Sequence, residues 1–161
     1  MIQVFTLLLL AAHDVPVPSA CTPEVNAHLA QLVSAGTKRQ VDNVMVCGVA
    51  TEKSHTQPGG PHGDHQIISI QAPFAKGQTR LVEVVTNDAL DGKVFADAHA
   101  NVFAYGQAFF DRTGKFVAGV HDVHCSTHAT ADNGWVVVNG QKFPAGACAV
   151  KPPKTRKRHR H

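Results

Sequence analysis

The chain of 161 residues has one tryptophan, one tyrosine and 6% aromatic residues in all. Proteins that stack the bases of a polymer use exposed aromatic side chains on a basic face, so that class of binder is disfavoured. No stretch approaches the roughly 20 consecutive apolar residues of a transmembrane helix, and no membrane span is expected. There is no CxxC pair, which removes the common zinc-ribbon and thioredoxin-like patterns. HExxH is absent too, and with it the helical signature of a zinc hydrolase. No internal repeat is visible.

What is present fits one domain, because a single core usually spans about 100–200 residues. Three segments are expected: a signal peptide over 1–20, one β-rich domain with an N-terminal helix over 21–150, and a basic flexible tail over 151–161. The apolar run Val4–Ala12 is too short for a bilayer, suits a secretory signal and is followed by a proline-containing stretch ending at Ala20. No Lys or Arg precedes the run, and Pro18 stands three residues before Cys21. An N-terminal strand or helix of a cytosolic domain is the alternative, and a lipoprotein signal with lipidated Cys21 meets the same Pro18. Secretion or a periplasmic location is the expectation.

Four cysteines follow the leader: Cys21, Cys47, Cys125 and Cys148. An even count in an oxidising compartment favours two disulfides, with three connectivities open. Cys21 with Cys148 and Cys47 with Cys125 is preferred, since the first bond would join the two ends of the body. A metal-ligand role for Cys125 is the alternative.

The net charge of +3 conceals an asymmetry. The tail KPPKTRKRHRH carries six Lys or Arg and no acid, leaving nine basic against twelve acidic residues in the rest. A solvated appendage is the plain explanation, and any nucleic-acid contact would run through this tail. The remaining roughly 130 residues bury about two thirds of their unfolded surface, so a monomer is expected.

Thr22 as N-cap, Pro23 in the first turn and Gly36 after the last periodic residue predict a helix over Thr22–Ala35 with Val25, Leu29, Leu32 and Val33 on one stripe. β-branched and aromatic runs then predict strands over Val41–Thr51, Gln66–Ala72, Arg80–Thr86, Ala100–Phe110, Phe116–Val123 and Trp135–Val138. Asp111-Arg112-Thr113-Gly114 and Asn139-Gly140 are hairpin turns. Thr51–Asp64 is the longest loop. The fold class is therefore mainly β with one N-terminal helix, as a small antiparallel OB-like barrel, with a β-sandwich as the alternative.

The concentrated chemistry is histidine. Apart from the leader and tail, histidines stand at 28, 55, 62, 65, 99, 121, 124 and 128, three of them in His121-Asp122-Val123-His124-Cys125-Ser126-Thr127-His128. Imidazole suits both metal binding and proton transfer. On a regular strand 121 and 124 face opposite sides, so a shared site requires the strand to end or bulge near Val123. His65 opens another strand and completes a candidate zinc or copper set of His65, His121, His124 and His128. Asp64 and Asp122 are the candidate carboxylates that would hydrogen-bond the imidazoles and fix their tautomers. Asp132, in Asp132-Asn133-Gly134, reads better as a turn residue, and Trp135 as core. Solvent-facing histidines with no shared role are the bland alternative.

Gly63-Asp64-His65-Gln66, Thr86-Asn87-Asp88, Gly119-Val120-His121-Asp122-Val123-His124 with His128, and Gly134-Trp135 together resemble an uncharacterised family of small bacterial exported proteins, catalogued as a domain of unknown function. The resemblance covers roughly Val46 to Phe143. The family usually has an aromatic residue where this chain has Asp122, and Cys125 with extra loop residues precedes His128. The resemblance implies that His65, His121, His124 and His128 form one site, and it supplies no reaction.

Two functions follow. One is a phosphodiester hydrolase, metal-dependent or working through His121 and His124 as an acid and base pair, with Arg80 or Arg112 on the phosphoryl charge. The other is a non-catalytic extracytoplasmic module that binds zinc, copper or a small anion.

Overall fold

A computed structural model describes residues 15–110, 114–127 and 131–149. His128, Arg112, the apolar run of the expected leader and the basic tail lie outside the described residues.

The helix α1, Ala27–Ser34, starts later than the sequence predicts. The amides of Val25, Asn26 and Ala27 bond the carbonyls three residues back, each at 3.2 Å, so the Pro23 segment forms tight turns. The Thr22 hydroxyl turns to the Glu24 carboxylate and holds its pKa below the ordinary value. Leu29, fully buried, anchors the helix in the main core.

Eight strands follow: β1 Val41–Ala50, β2 His55–Gln57, β3 His65–Ala75, β4 Gln78–Asn87, β5 Asn101–Phe109, β6 Ala118–His121, β7 Trp135–Val138 and β8 Gln141–Phe143. The order β1-β3-β4-β6-β5, with β5 returning to β1, closes a five-stranded barrel. The fold is thus mainly β with a single short helix, an OB-like barrel. One pair, β4 with β6, is parallel. The predicted loop Thr51–Asp64 contains β2, which clips onto β3, and a 3₁₀ turn, Gly60–His62.

Alternate residues of the barrel strands, among them Val44, Ile68, Val84, Val102 and Val120, fill the main core. A second cluster forms around Tyr105, Trp135 and Val137, with Val15, Met45 and Phe103 packed against it. The Trp135 indole donates to the carbonyl of Val15 at 2.9 Å. Trp135 is core, as the sequence predicts, and Val15, inside the expected leader, is part of its cover.

The disulfides correct the preferred pairing. Cys21 bonds Cys47 and Cys125 bonds Cys148, with Cα separations of 5.5 and 5.4 Å. The reason lies in how the helix docks: the Asn26 side chain binds the backbone of Cys47, bringing the start of the body to β1 rather than to the C-terminal segment. That segment, after β8, returns instead to the loop following β6. In the chain-entropy account, loops of 26 and 23 residues make each bond worth on the order of 3–4 kcal/mol. The Cys125 sulfur is therefore engaged and ligates no metal, and the Cys21 sulfur is closed to lipidation. Disulfides of this kind persist in oxidising compartments. Among the described residues no helix is long and apolar enough to cross a membrane.

Candidate functional site

Strand register brings the histidines together. His65 pairs with Asn87 and Ile67 with Val85 across β3 and β4, while Val84 pairs with Val120 across β4 and β6. Val84 and Val120 point into the core, so by alternation His65, Val85 and His121 share the outward face. β6 ends at His121. Asp122 takes the left-handed conformation at φ 52°, Val123 plunges into the core, and His124 comes back to the same cavity as His121. The break that a shared site requires thus occurs, one residue before Val123.

Two glycines permit this reversal. A Cβ on Gly106 would strike the carbonyl of His121, and one on Gly134 would strike the carbonyl of Asp122 and the amide of His124. The Gly134 amide also donates to the His124 carbonyl at 2.8 Å. Gly106→Ala is expected to cost about 1–3 kcal/mol by overpacking, measured by urea unfolding. The His121 and His124 ring resonances should shift in the same variant, and unchanged resonances would show that the reversal does not depend on this contact.

His65, Thr86, Asp91, His121, Asp122 and His124 are among the walls of one cavity of about 140 Å³. A second cavity of about 140 Å³ shares Asp122 and His124 and extends to Asp42, Gln107 and Asp132. Each ring has a nitrogen held by a partner. His124 Nδ1 lies 3.4 Å from Asp91 Oδ1, and the Asp91 side chain is only 1% exposed. Asp91 Oδ2 accepts the Asn87 amide at 2.6 Å. The Asp91 carboxylate pushes the His124 pKa up, against the opposing effect of burial.

His121 has the opposite balance. Gln107 gives its amide nitrogen to Asp42, so its oxygen faces His121 Nε2, which donates to it at 3.0 Å. The lone pair of a neutral His121 then sits on Nδ1, 3.7 Å from Asp122 Oδ1. Burial pushes the His121 pKa down, Asp122 opposes, and the charges of His124 and His65 add to the depression. His65 Nε2 lies 3.3 Å from the side-chain amide of Asn87.

Three buried polar atoms at this cavity, Thr86 Oγ1, Asp91 Oδ1 and His124 Nδ1, make no hydrogen bond among the described residues. The Asp91 to His124 contact is therefore a charge contact rather than an aligned hydrogen bond. Buried unpaired polar atoms are uncommon and mark a place where water, an ion or a ligand group fits.

His65, His121 and His124 thus converge, and His128 lies outside the described residues. Among the described residues no group of three or more His, Cys, Asp or Glu side chains is arranged to hold a metal ion. Asp122 stands beside His121 as the sequence suggests. Among the described residues Asp64 makes no hydrogen bond or ion pair with a histidine: its carboxylate accepts the Gly59 amide at 3.4 Å and its carbonyl the Asp88 amide at 2.8 Å, ordering the loop. Arg80 pairs with Ala72, seven residues along β4 from Asn87 and His65, at the other end of the ladder. Asp132 accepts the Tyr105 hydroxyl at 2.7 Å, and burial together with this carboxylate pushes the phenol pKa up. His28, His55 and His99 are exposed.

Asp91, Thr86 and Gln107 are the site residues that sequence reasoning misses. Asp91 sits in a turn after a strand, where aspartate is an ordinary turn former. Only the strand order brings it beside His124. Compared with known protein families, curated proteins and solved structures, the chain matches none.

Proposed function

We propose that this protein cleaves phosphodiesters outside the cytoplasm by imidazole acid and base catalysis, with His121 as base and His124 as acid. One observation carries it: two imidazoles line one cavity, one hydrogen-bonded at a ring nitrogen by Gln107 and the other set beside the Asp91 carboxylate, and their surroundings shift their pKa values in opposite directions. Titratable pairs whose environments drive their pKa values apart are the usual source of acid and base roles. Neutral His121 takes a proton from the attacking hydroxyl at Nδ1, and Asp122 balances the charge that forms. His124, whose protonated form Asp91 favours, gives the Nε2 proton to the departing oxygen. Two disulfides support maturation in an oxidising compartment.

The test is a panel comprising an RNA dinucleotide, its deoxy counterpart and bis(p-nitrophenyl) phosphate, assayed across the titration range of histidine with and without a chelator. His121 must be neutral and His124 protonated. The rate should therefore rise with pH through a value below the ordinary histidine pKa of about 6.5 and fall through a value above it. Activity lost on chelation and restored by zinc or copper would move the site to the metal-binding alternative. No cleavage of any probe would sink the hydrolase.

A further inference from the structure

We infer that the substrate supplies its own nucleophile: a phosphodiester with a free hydroxyl on the carbon next to the esterified one, as in RNA or a glycerophosphodiester, converted first to a cyclic phosphate. This rests on the acid and base reading above and adds the class of substrate that the cavity is equipped to cleave.

Apart from the imidazoles, the described walls offer no protein nucleophile to an incoming phosphoryl group, and the lone pair of His65 Nε2 faces the Asn87 side-chain amide at 3.3 Å. All four cysteines are in disulfides. Among the described residues Thr86 carries the one hydroxyl side chain at this cavity. It stands two residues beyond Val84 on the core side of β4 and is 1% exposed. Asp91 is buried and held between the Asn87 amide and His124. Asp122 faces His121 Nδ1, where it balances the imidazolium.

Attack by free water is poorly supplied as well. A bimolecular attack on a phosphodiester anion needs strong charge neutralisation, by a metal ion or guanidinium groups. Among the described residues no Lys or Arg lines this cavity, Arg80 is at the far end of β4, and no group of three or more His, Cys, Asp or Glu is arranged as a metal cradle. A neighbouring hydroxyl lowers the barrier by a different route, because an oriented intramolecular nucleophile acts at an effective concentration of about 10⁵–10⁸ M. An acid and a base then suffice, and those are what the cavity holds.

The step balances. The vicinal hydroxyl gives its proton to His121 Nδ1 while its oxygen forms a bond to phosphorus. The bond from phosphorus to the leaving oxygen breaks, its electron pair stays on that oxygen, and His124 Nε2 protonates it. The products are a five-membered cyclic phosphate and an alcohol. His121 ends protonated and His124 neutral, and proton exchange with water resets both.

The experiment uses the full chain with an RNA dinucleotide, glycerophosphocholine, the deoxy dinucleotide and bis(p-nitrophenyl) phosphate, products followed by ³¹P NMR, alongside His121→Ala. Cleavage of the RNA dinucleotide or glycerophosphocholine through a cyclic phosphate, with the two probes lacking a vicinal hydroxyl slower by roughly a hundredfold or more, is the expected result. Which of the first two is cut separates a nucleic-acid source from a headgroup source. Comparable His121-dependent cleavage of the deoxy dinucleotide would overturn the vicinal-hydroxyl requirement and leave the acid and base reading standing. Absence of His121-dependent cleavage of every probe would overturn both.

Discussion

Asn26→Ala is expected to lower the unfolding free energy by about 3–6 kcal/mol, since each orphaned buried polar group costs about 1–3 kcal/mol. The fully buried Asn26 amide accepts the Cys47 amide at 2.7 Å and donates to the Cys47 carbonyl at 3.1 Å and the Pro73 carbonyl at 2.8 Å. β1 and β3 pair directly only at Val49 with Gln71 and Ala50 with Ile70. Where the two strands part, this side chain spans from β1 to β3 and stands in for the missing backbone partner. A loss of that size approaches the whole stability of many domains, about 5–15 kcal/mol. Urea unfolding measures it, with both disulfides confirmed intact. A loss under about 1 kcal/mol would mean that water replaces the amide without cost. Asn26→Asp should fare nearly as badly, because it keeps one acceptor and loses both donors.

His121→Ala and His124→Ala are each expected to reduce kcat by about 10²–10⁴-fold on whichever phosphodiester is cut. The double variant should be little worse than either, because acid and base act in one step. Asp91 touches no substrate and acts through His124. Asp91→Asn removes the charge that raises the His124 pKa, so the descending limb of the pH profile should move to lower pH while the ascending limb, set by His121, stays. A fall in rate with an unmoved descending limb would reduce Asp91 to a packing residue.

The strands were readable in the sequence wherever β-branched runs met turn residues: β1, β5 and β7 begin or end within a residue or two of their expected bounds. β6 was not. Its hydrophobic pattern continues to Val123, but the left-handed Asp122 ends the pairing, and only the crowding at Gly106 and Gly134 explains why. The histidine cluster was visible as spacing, whereas Asp91 was hidden because its partner is distant in sequence and adjacent only through the β4 to β6 pairing. The disulfide pairing was similarly out of reach. It follows from where Asn26 docks, a contact between a side chain and a backbone 21 residues away.

The chain's single tryptophan is 2% exposed, stacked at 6.0 Å on Tyr105, and its indole proton is taken by the carbonyl of Val15. That arrangement makes Trp135 a built-in optical reporter on the N-terminal segment. Emission from the intact body should be blue-shifted, and a chain trimmed after Ala20 should emit further to the red, since it loses the acceptor and part of the cover. Fluorescence of the mature protein therefore reads where its first residue lies relative to Val15.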